Sequence, residues 1–172
     1  MSAIANTNHS NYIMNPNNQI EDIRLGGRLN QTTIVTYEDG SEWVFLPDKG
    51  KERFCGFLYL QNALKESNIE NIEAAENKIA IHDKKIIYLS KYCGEEKPDL
   101  WKNFDKIQAI QTTGFSDLSH CANLREQNGK IYIFDTEKGS FNKNVYSKID
   151  SFAPLHDEIQ ETLLQLASEQ TC

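Results

Sequence analysis

The 172-residue sequence has no close-spaced cysteine pair, no run of basic residues and no apolar stretch of membrane-spanning length. Each absence excludes a class. The four cysteines, Cys55, Cys93, Cys121 and Cys172, stand far apart. Zinc sites use close-spaced ligand pairs and disulfide frameworks belong to shorter, cysteine-dense chains, so reduced thiols are expected instead. The formal net charge is −7, with no cluster of Lys or Arg, which argues against a nucleic-acid partner held through phosphate contacts. No segment approaches the ~20 apolar residues of a spanning helix, so no membrane partner is expected. The opening MSAIANTNHSNYIMNPNN has neither a basic start nor an apolar core, unlike a secretory signal. The expected setting is the cytoplasm, or a host cell entered through a non-standard signal. Internal repeats and coiled-coil heptads are absent as well.

What is present supports a packed core: 39% of residues are apolar and 10% aromatic, in a length that suits one small two-lobed domain. Residues 1–20 are polar and Asn-rich without periodic apolar positions, and read as a disordered tail. From residue 32 the pattern turns to alternating β-branched and aromatic residues on either side of Glu38-Asp39-Gly40-Ser41. Asp-Gly supplies the positive φ of a tight turn, so a β-hairpin is predicted, closed by Pro47. Phe54, Phe57, Leu58, Leu60 and Leu64 recur at helical spacing over 52–67 and predict a helix lying across that hairpin. Two apolar runs at 78–82 and 85–92, split by Asp83-Lys84, read as a further strand pair.

Cys93-Gly94 and the charged 95–97 mark a hinge between a strand-rich half, 21–93, and a reduced half, 94–172. In the latter, Pro98 and Asp99 open a predicted helix with Leu100, Trp101, Phe104, Ile107 and Ile110 on one face. A buried strand at 130–134 follows. A last helix over 154–169 carries Leu155, Ile159, Leu163 and Leu166, a stripe that either docks on its own domain or meets a partner. The expected class is α+β: a small antiparallel sheet with one packed helix, a hinge and a short C-terminal half.

The segment 113–141, TGFSDLSHCANLREQNGKIYIFDTEKGSF, sets an acidic loop, 117–123, against an acidic strand end, 135–137. Asp117 facing a substrate while Asn123, Asp135 and Glu137 hold a divalent ion is a composition that suffices for phosphoryl transfer, which needs positioning and charge neutralisation above all. Ordinary roles are the alternative: Asp117 capping a turn, Asn123 closing a loop, Asp135 ending a strand. Gly26-Gly27 reads either as a phosphate-cradling loop or as a plain turn. His120-Cys121 is a hydrolase pair only if His82 or His156 approaches Cys121; a buried, inert thiol is the alternative.

In order and type these features resemble the protein-kinase-like superfamily, in particular its aminoglycoside- and choline-kinase branch. There an Asp-x-x-x-x-Asn loop precedes a strand that ends in an acidic metal ligand. Residues 25–30, LGGRLN, are similar to the glycine-and-asparagine opening of that branch, Asp39-Gly40 falls at its hairpin turn, the 52–67 helix at its glutamate-bearing helix, and Tyr92-Cys93-Gly94 at its hinge. The resemblance implies ATP and Mg2+ as cofactors, Asp117 as catalytic base, Gly26, Gly27 and Lys49 toward the nucleotide phosphates, and Asn123, Asp135 and Glu137 on the metal. The chain also departs from the pattern. Leu46 stands where the phosphate-holding cation belongs, with Lys49 and Lys51 only in the loop beyond. Asn123 lies one place late, since Ala122 is fifth after Asp117. Phe115-Ser116 replaces the usual His or Arg before the Asp, and the region after Phe141 is short for a substrate lobe. The expectation is therefore a degenerate kinase-like protein that binds a nucleotide and metal, or a protein partner, with little or no transferase activity. An active small phosphotransferase using Asp117 and Asp135, and a pure interaction module such as a bacterial effector adaptor, are the alternatives.

Overall fold

The computed structural model describes residues 8–27, 31–118 and 122–169. In chain order its strands and α-helices are β1 (Ile20–Gly26), β2 (Thr32–Tyr37), β3 (Glu42–Leu46), α1 (Gly50–Glu66), β4 (Ile72–Ala74), β5 (Asn77–His82), β6 (Lys85–Lys91), α2 (Phe104–Gln111), β7 (Leu124–Gln127), β8 (Lys130–Ile133), α3 (Tyr146–Asp150) and α4 (Ala153–Glu169). The class is α+β. Two compact units interleave along the chain: one comprises residues 1–51, 77–92 and 153–172, the other 52–76 and 93–152. The chain leaves the first unit after Tyr92, and Gly94 follows with φ 80°.

In the first unit an antiparallel sheet runs in the order β1-β2-β3-β6-β5. The β2–β3 hairpin pairs Val35 with Trp43, and its turn is built as the sequence requires. Gly40 has φ 88°, and Asp39 Oδ1 accepts the Ser41 N–H at 2.9 Å. Ser41 Oγ in turn accepts Trp43 Nε1–H at 2.9 Å. β5 and β6 are joined through Asp83 and Lys84, both at positive φ, the backbone twist that matches a tight hairpin. Val35, Tyr37, Trp43, Ala80 and Leu89 form one buried cluster with Met14.

Three expectations change here. Residues 9–14 do not float: His9–Tyr12 forms a 3-10 turn, Ile13 bridges to Ile79, and the Met14 N–H donates to the Ile79 carbonyl at 2.9 Å. β5 is an outer strand, so its free edge offers hydrogen-bond partners and its face a seat for Ile13 and Met14, a gain no periodicity in the tail could advertise. Residues 1–7 of the expected tail lie outside the described residues. β1 precedes the hairpin as a further strand, paired with β2 in register from Asp22–Thr36 to Gly26–Thr32. Finally, the helix that packs on this sheet within the unit is α4, against β5 and the 3-10 turn, with Leu155, Ile159 and Leu163 buried. Its stripe docks on its own unit.

The second unit holds a three-stranded sheet, β4-β8-β7, with β4 parallel to β8 and β7 antiparallel. β7 is a strand where a continuing loop was expected. Its hairpin turn is Asn128-Gly129, both at positive φ, which is the strongest short hairpin signal a sequence carries. From Glu52 onward α1 belongs to this unit, and residues 54–60 are buried without interruption. Burial at 54–60 is wider than the predicted stripe, while Gln61, Asn62, Lys65 and Glu66 remain exposed. α2 starts later than predicted, because Asp99 Oδ1 accepts the N–H groups of Trp101 at 2.9 Å and Lys102 at 3.2 Å and holds 99–103 in a turn. Ile107 and Ile110 are buried as expected, whereas Leu100, Trp101 and Phe104 face outward, Trp101 at 88% exposure.

One polar chain runs through the first unit. His156, 1% exposed, meets Asp157 through Nδ1 at 2.8 Å and Tyr88 through Nε2 at 2.8 Å, and Asp157 pairs with Lys51 at 3.0 Å. A carboxylate only accepts, so Nδ1 carries the proton and Nε2 accepts the Tyr88 hydroxyl. Desolvation holds His156 below its usual value, its bond to Asp157 opposing. Its bond to His156, then Lys51, lowers the Asp157 carboxyl. Both shifts are depressions. The stability from His156 is present above the unfolded histidine value of about 6.5 and is lost as pH falls toward the folded one; that from Asp157 is lost lower still, below about 3.9. Thermal melts followed by circular dichroism should show a midpoint that drops from pH 7 to pH 5, and His156→Gln should flatten the drop. An unchanged profile in that variant would remove His156 as its source.

Candidate functional site

The site is built where the chain leaves β8. Parallel pairing of Ile72 to Ile131 and of Ala74 to Ile133 fixes that strand, and the Ala75 N–H adds a bond to the Ile133 carbonyl at 2.7 Å. Beyond Phe134, residues 135–138 lie on the first turns of α1. Asp135 takes φ 60°, a left-handed conformation that Asp tolerates better than most residues. That turn aims its carboxylate at Arg53, whose Nη1 donates to Asp135 Oδ1, while Nη2 stands 3.5 Å from Glu137 Oε2.

The three side chains are largely withdrawn from water, at 15% exposure for Arg53, 30% for Asp135 and 25% for Glu137. Around them the backbone is tied down. Thr136, 3% exposed, donates its hydroxyl to the Arg53 carbonyl at 2.7 Å. Glu52 Oε2 accepts the Lys138 N–H at 3.1 Å. Gly56 permits the approach, since a Cβ there would overlap the Thr136 carbonyl oxygen. Lys138 turns away to Asp150 at 2.6 Å, and that bond raises its pKa.

The loop bearing Asp117 joins the same neighbourhood. The N–H groups of Ser116 and Asp117 donate to the Ser140 carbonyl at 2.9 and 3.2 Å. Asn123, buried at 7% exposure, donates Nδ2–H to the Asp117 carbonyl at 3.0 Å, and its own carbonyl accepts the Phe134 N–H at 3.0 Å. Asn123 thus ties the Asp117 loop to the strand end that carries Asp135. The Asp117 residue itself is exposed.

The other expected residues lie in the first unit. Gly26 ends β1 and Gly27 turns at φ 71°, with β2 close behind: a Cβ on Gly26 would overlap Ile34. Lys49 is exposed at φ 53° just before α1. His156 is committed to Tyr88 and Asp157, and His82 lies 3.3 Å from Asp83. Cys55 and Cys93 are buried free thiols; His120 and Cys121 are outside the described residues. Among the described residues no three His, Cys, Asp or Glu side chains form a metal-sized group.

Arg53, Thr136, Glu52 and Gly56 were not singled out from the sequence. One signal for them is there: a glycine inside an apolar helix costs about 1 kcal/mol relative to alanine and points to a close backbone neighbour. Nothing local announces that the neighbour is residue 136.

Two sets of variants weigh this site by denaturant unfolding. Gly56→Ala should cost about 3 kcal/mol or more, because rigid backbone opposes the new methyl; a loss under 1 kcal/mol would mean the approach is soft. Arg53→Met should cost about 1–2 kcal/mol, between the values of exposed and fully buried pairs. Asp135→Ala should exceed Asp135→Asn by about 1 kcal/mol, since Asn keeps the tolerance for positive φ.

No protein-family model matches the chain, and no curated protein or solved structure matches it.

Proposed function

We propose that this chain is a degenerate kinase-like protein that works by binding a protein partner rather than by transferring phosphate. The observation that supports this reading is the Arg53 guanidinium paired with Asp135 and Glu137. Phosphoryl transfer on the pattern the sequence resembles needs those carboxylates for a divalent ion bridging the nucleotide phosphates. A guanidinium is already paired with them, supplied by α1, whose Arg53 carbonyl accepts the Thr136 hydroxyl and whose Glu52 carboxylate accepts the Lys138 N–H. A divalent ion at Asp135 and Glu137 would have to compete with the Arg53 guanidinium that pairs with both. Leu46, apolar where the phosphate-holding cation belongs, points the same way.

The test is incubation with γ-labelled ATP and Mg2+ or Mn2+, alongside a thermal-shift titration with the same ligands. No label should reach the chain or added acceptors, and the midpoint should not move. Transfer that Asp117→Ala abolishes with the fold intact would overturn the proposal in favour of an active phosphotransferase. A metal-dependent shift without transfer would replace the protein partner by a nucleotide.

A further inference from the structure

β1 is an outer strand of the first unit's sheet, bordered by β2 on one side and, among the described residues, by no strand on the other. Its exposure is unusual: residues 21–25 are all exposed, and they include Ile23 at 56% and Leu25 at 64%. Edges that must stay single are protected by shortness, Pro, bulges or charged side chains, Lys above all. β1 has seven residues, Ile-Glu-Asp-Ile-Arg-Leu-Gly, without Lys or Pro; its one irregularity lies between Ile20 and Asp22, its charges are of both signs, and Asp22 to Gly26 pair regularly. Ile23 stands opposite Val35 and Leu25 opposite Thr33, so both lie on the face of Val35 and Trp43. Asp22 and Arg24 lie on the other face, where Arg24 bonds Glu42 and stacks over Tyr92 at 5.6 Å.

We propose that β1 pairs with β1 of a second copy, antiparallel, about a two-fold axis through Ile23. The register follows from two requirements. Keeping the exposed Ile23 and Leu25 of both copies on one face requires the axis to pass through a residue, because side chains alternate between faces. Charge then selects the residue. An axis through Ile23 sets Asp22 opposite Arg24 of the other copy, twice, and Ile23 opposite its own mate. An axis through Asp22 sets two aspartates face to face; one through Arg24 sets two arginines. Cross-strand charge pairs of opposite sign stabilise a ribbon and like pairs oppose it. Arg24 has donors to spare for this, since its guanidinium carries five N–H groups and its side chain remains 41% exposed. The contact is isologous and closes at two copies, with the backbone groups of the outer edge paired across the axis.

A seven-residue ribbon is smaller than a standard interface of roughly 800 Å² per partner, so the dimer should be concentration-dependent. Sedimentation velocity of the full chain over a wide concentration series should show a monomer–dimer equilibrium. Asp22→Arg should weaken it at least about tenfold by setting like charges across both pairs, and Ile23→Lys should abolish it. Both positions are exposed, so neither change should alter the melt at concentrations where the parent chain is monomeric. Register is read separately by oxidation of single-cysteine additions against the parent chain as background. Ile23→Cys meets its own mate at about 4.5–5.5 Å between Cα atoms, within disulfide range, and should cross-link. Glu21→Cys, opposite Leu25, should not. A monomer at every concentration would overturn the proposal, as would a dimer indifferent to Ile23→Lys or cross-linking equal at both positions. A chain that stays monomeric yet binds an extended peptide, and loses it on Ile23→Lys, would assign the edge to a foreign strand.

Discussion

The second unit depends on one face of α1. Gly56 lies four residues after Glu52 and three after Arg53, and Tyr59 three after Gly56, the spacing that brings side chains to one side of a helix. Each secures a different piece of irregular backbone. Glu52 holds the Lys138 N–H; Arg53 holds the Asp135 carboxylate through its side chain and the Thr136 hydroxyl through its carbonyl. Gly56 admits the Thr136 backbone. Tyr59 donates to the Thr113 carbonyl and meets Phe141 edge-on at 5.7 Å, which in turn meets Phe115 at 5.3 Å. The loops at 113–118 and 135–141 are thus placed by the same helix, and their mutual bonds at Ser140 follow from that placement.

The energetics divide unequally among these contacts. Burial of Phe54, Phe57, Leu60, Phe115 and Phe141, each at or below 3% exposure, supplies most of the driving force, on the order of 1.5–3 kcal/mol per side chain. The ion pair adds little net stability, because desolvating Arg53 and its carboxylates offsets most of their attraction. What the pair contributes is placement. Apolar contacts are non-directional and would tolerate a shift of the strand end, whereas a guanidinium fork and a left-handed Asp135 fix its position and direction.

Local chemistry made much of the fold legible in the sequence. The Asp39-Gly40 hairpin, the α1 and α4 stripes and the β5–β6 pair are each specified within a dozen residues, and all formed. The misses have physical reasons. β1 alternates apolar and charged residues only over Asp22–Leu25 and carries three charges in seven residues, too short a run to read as a strand. Ile13 and Met14 fold because β5 presents a free edge, information that lies over sixty residues away. Asn128-Gly129 was readable by turn chemistry, but the acidic pattern before it drew the reading to loop. The stretch from Leu100 to Phe104 satisfied helical spacing, and Asp99 captured its backbone first.

The candidate site was half legible for the same reason. Both acidic stretches and Asn123 are close in sequence, and Asn123 ties their backbones together at the Asp117 carbonyl and the Phe134 N–H. Their counter-charge comes from Arg53, 82 residues from Asp135, and no pattern in 113–141 encodes it. The identity of that counter-charge changes what the station is. A divalent ion exchanges with solvent and makes the order of its ligands depend on supply. A guanidinium carried by α1 is present in every folded molecule and holds its carboxylates in a planar fork. The loop around Asp135 is therefore held by a charge that the fold itself carries on α1.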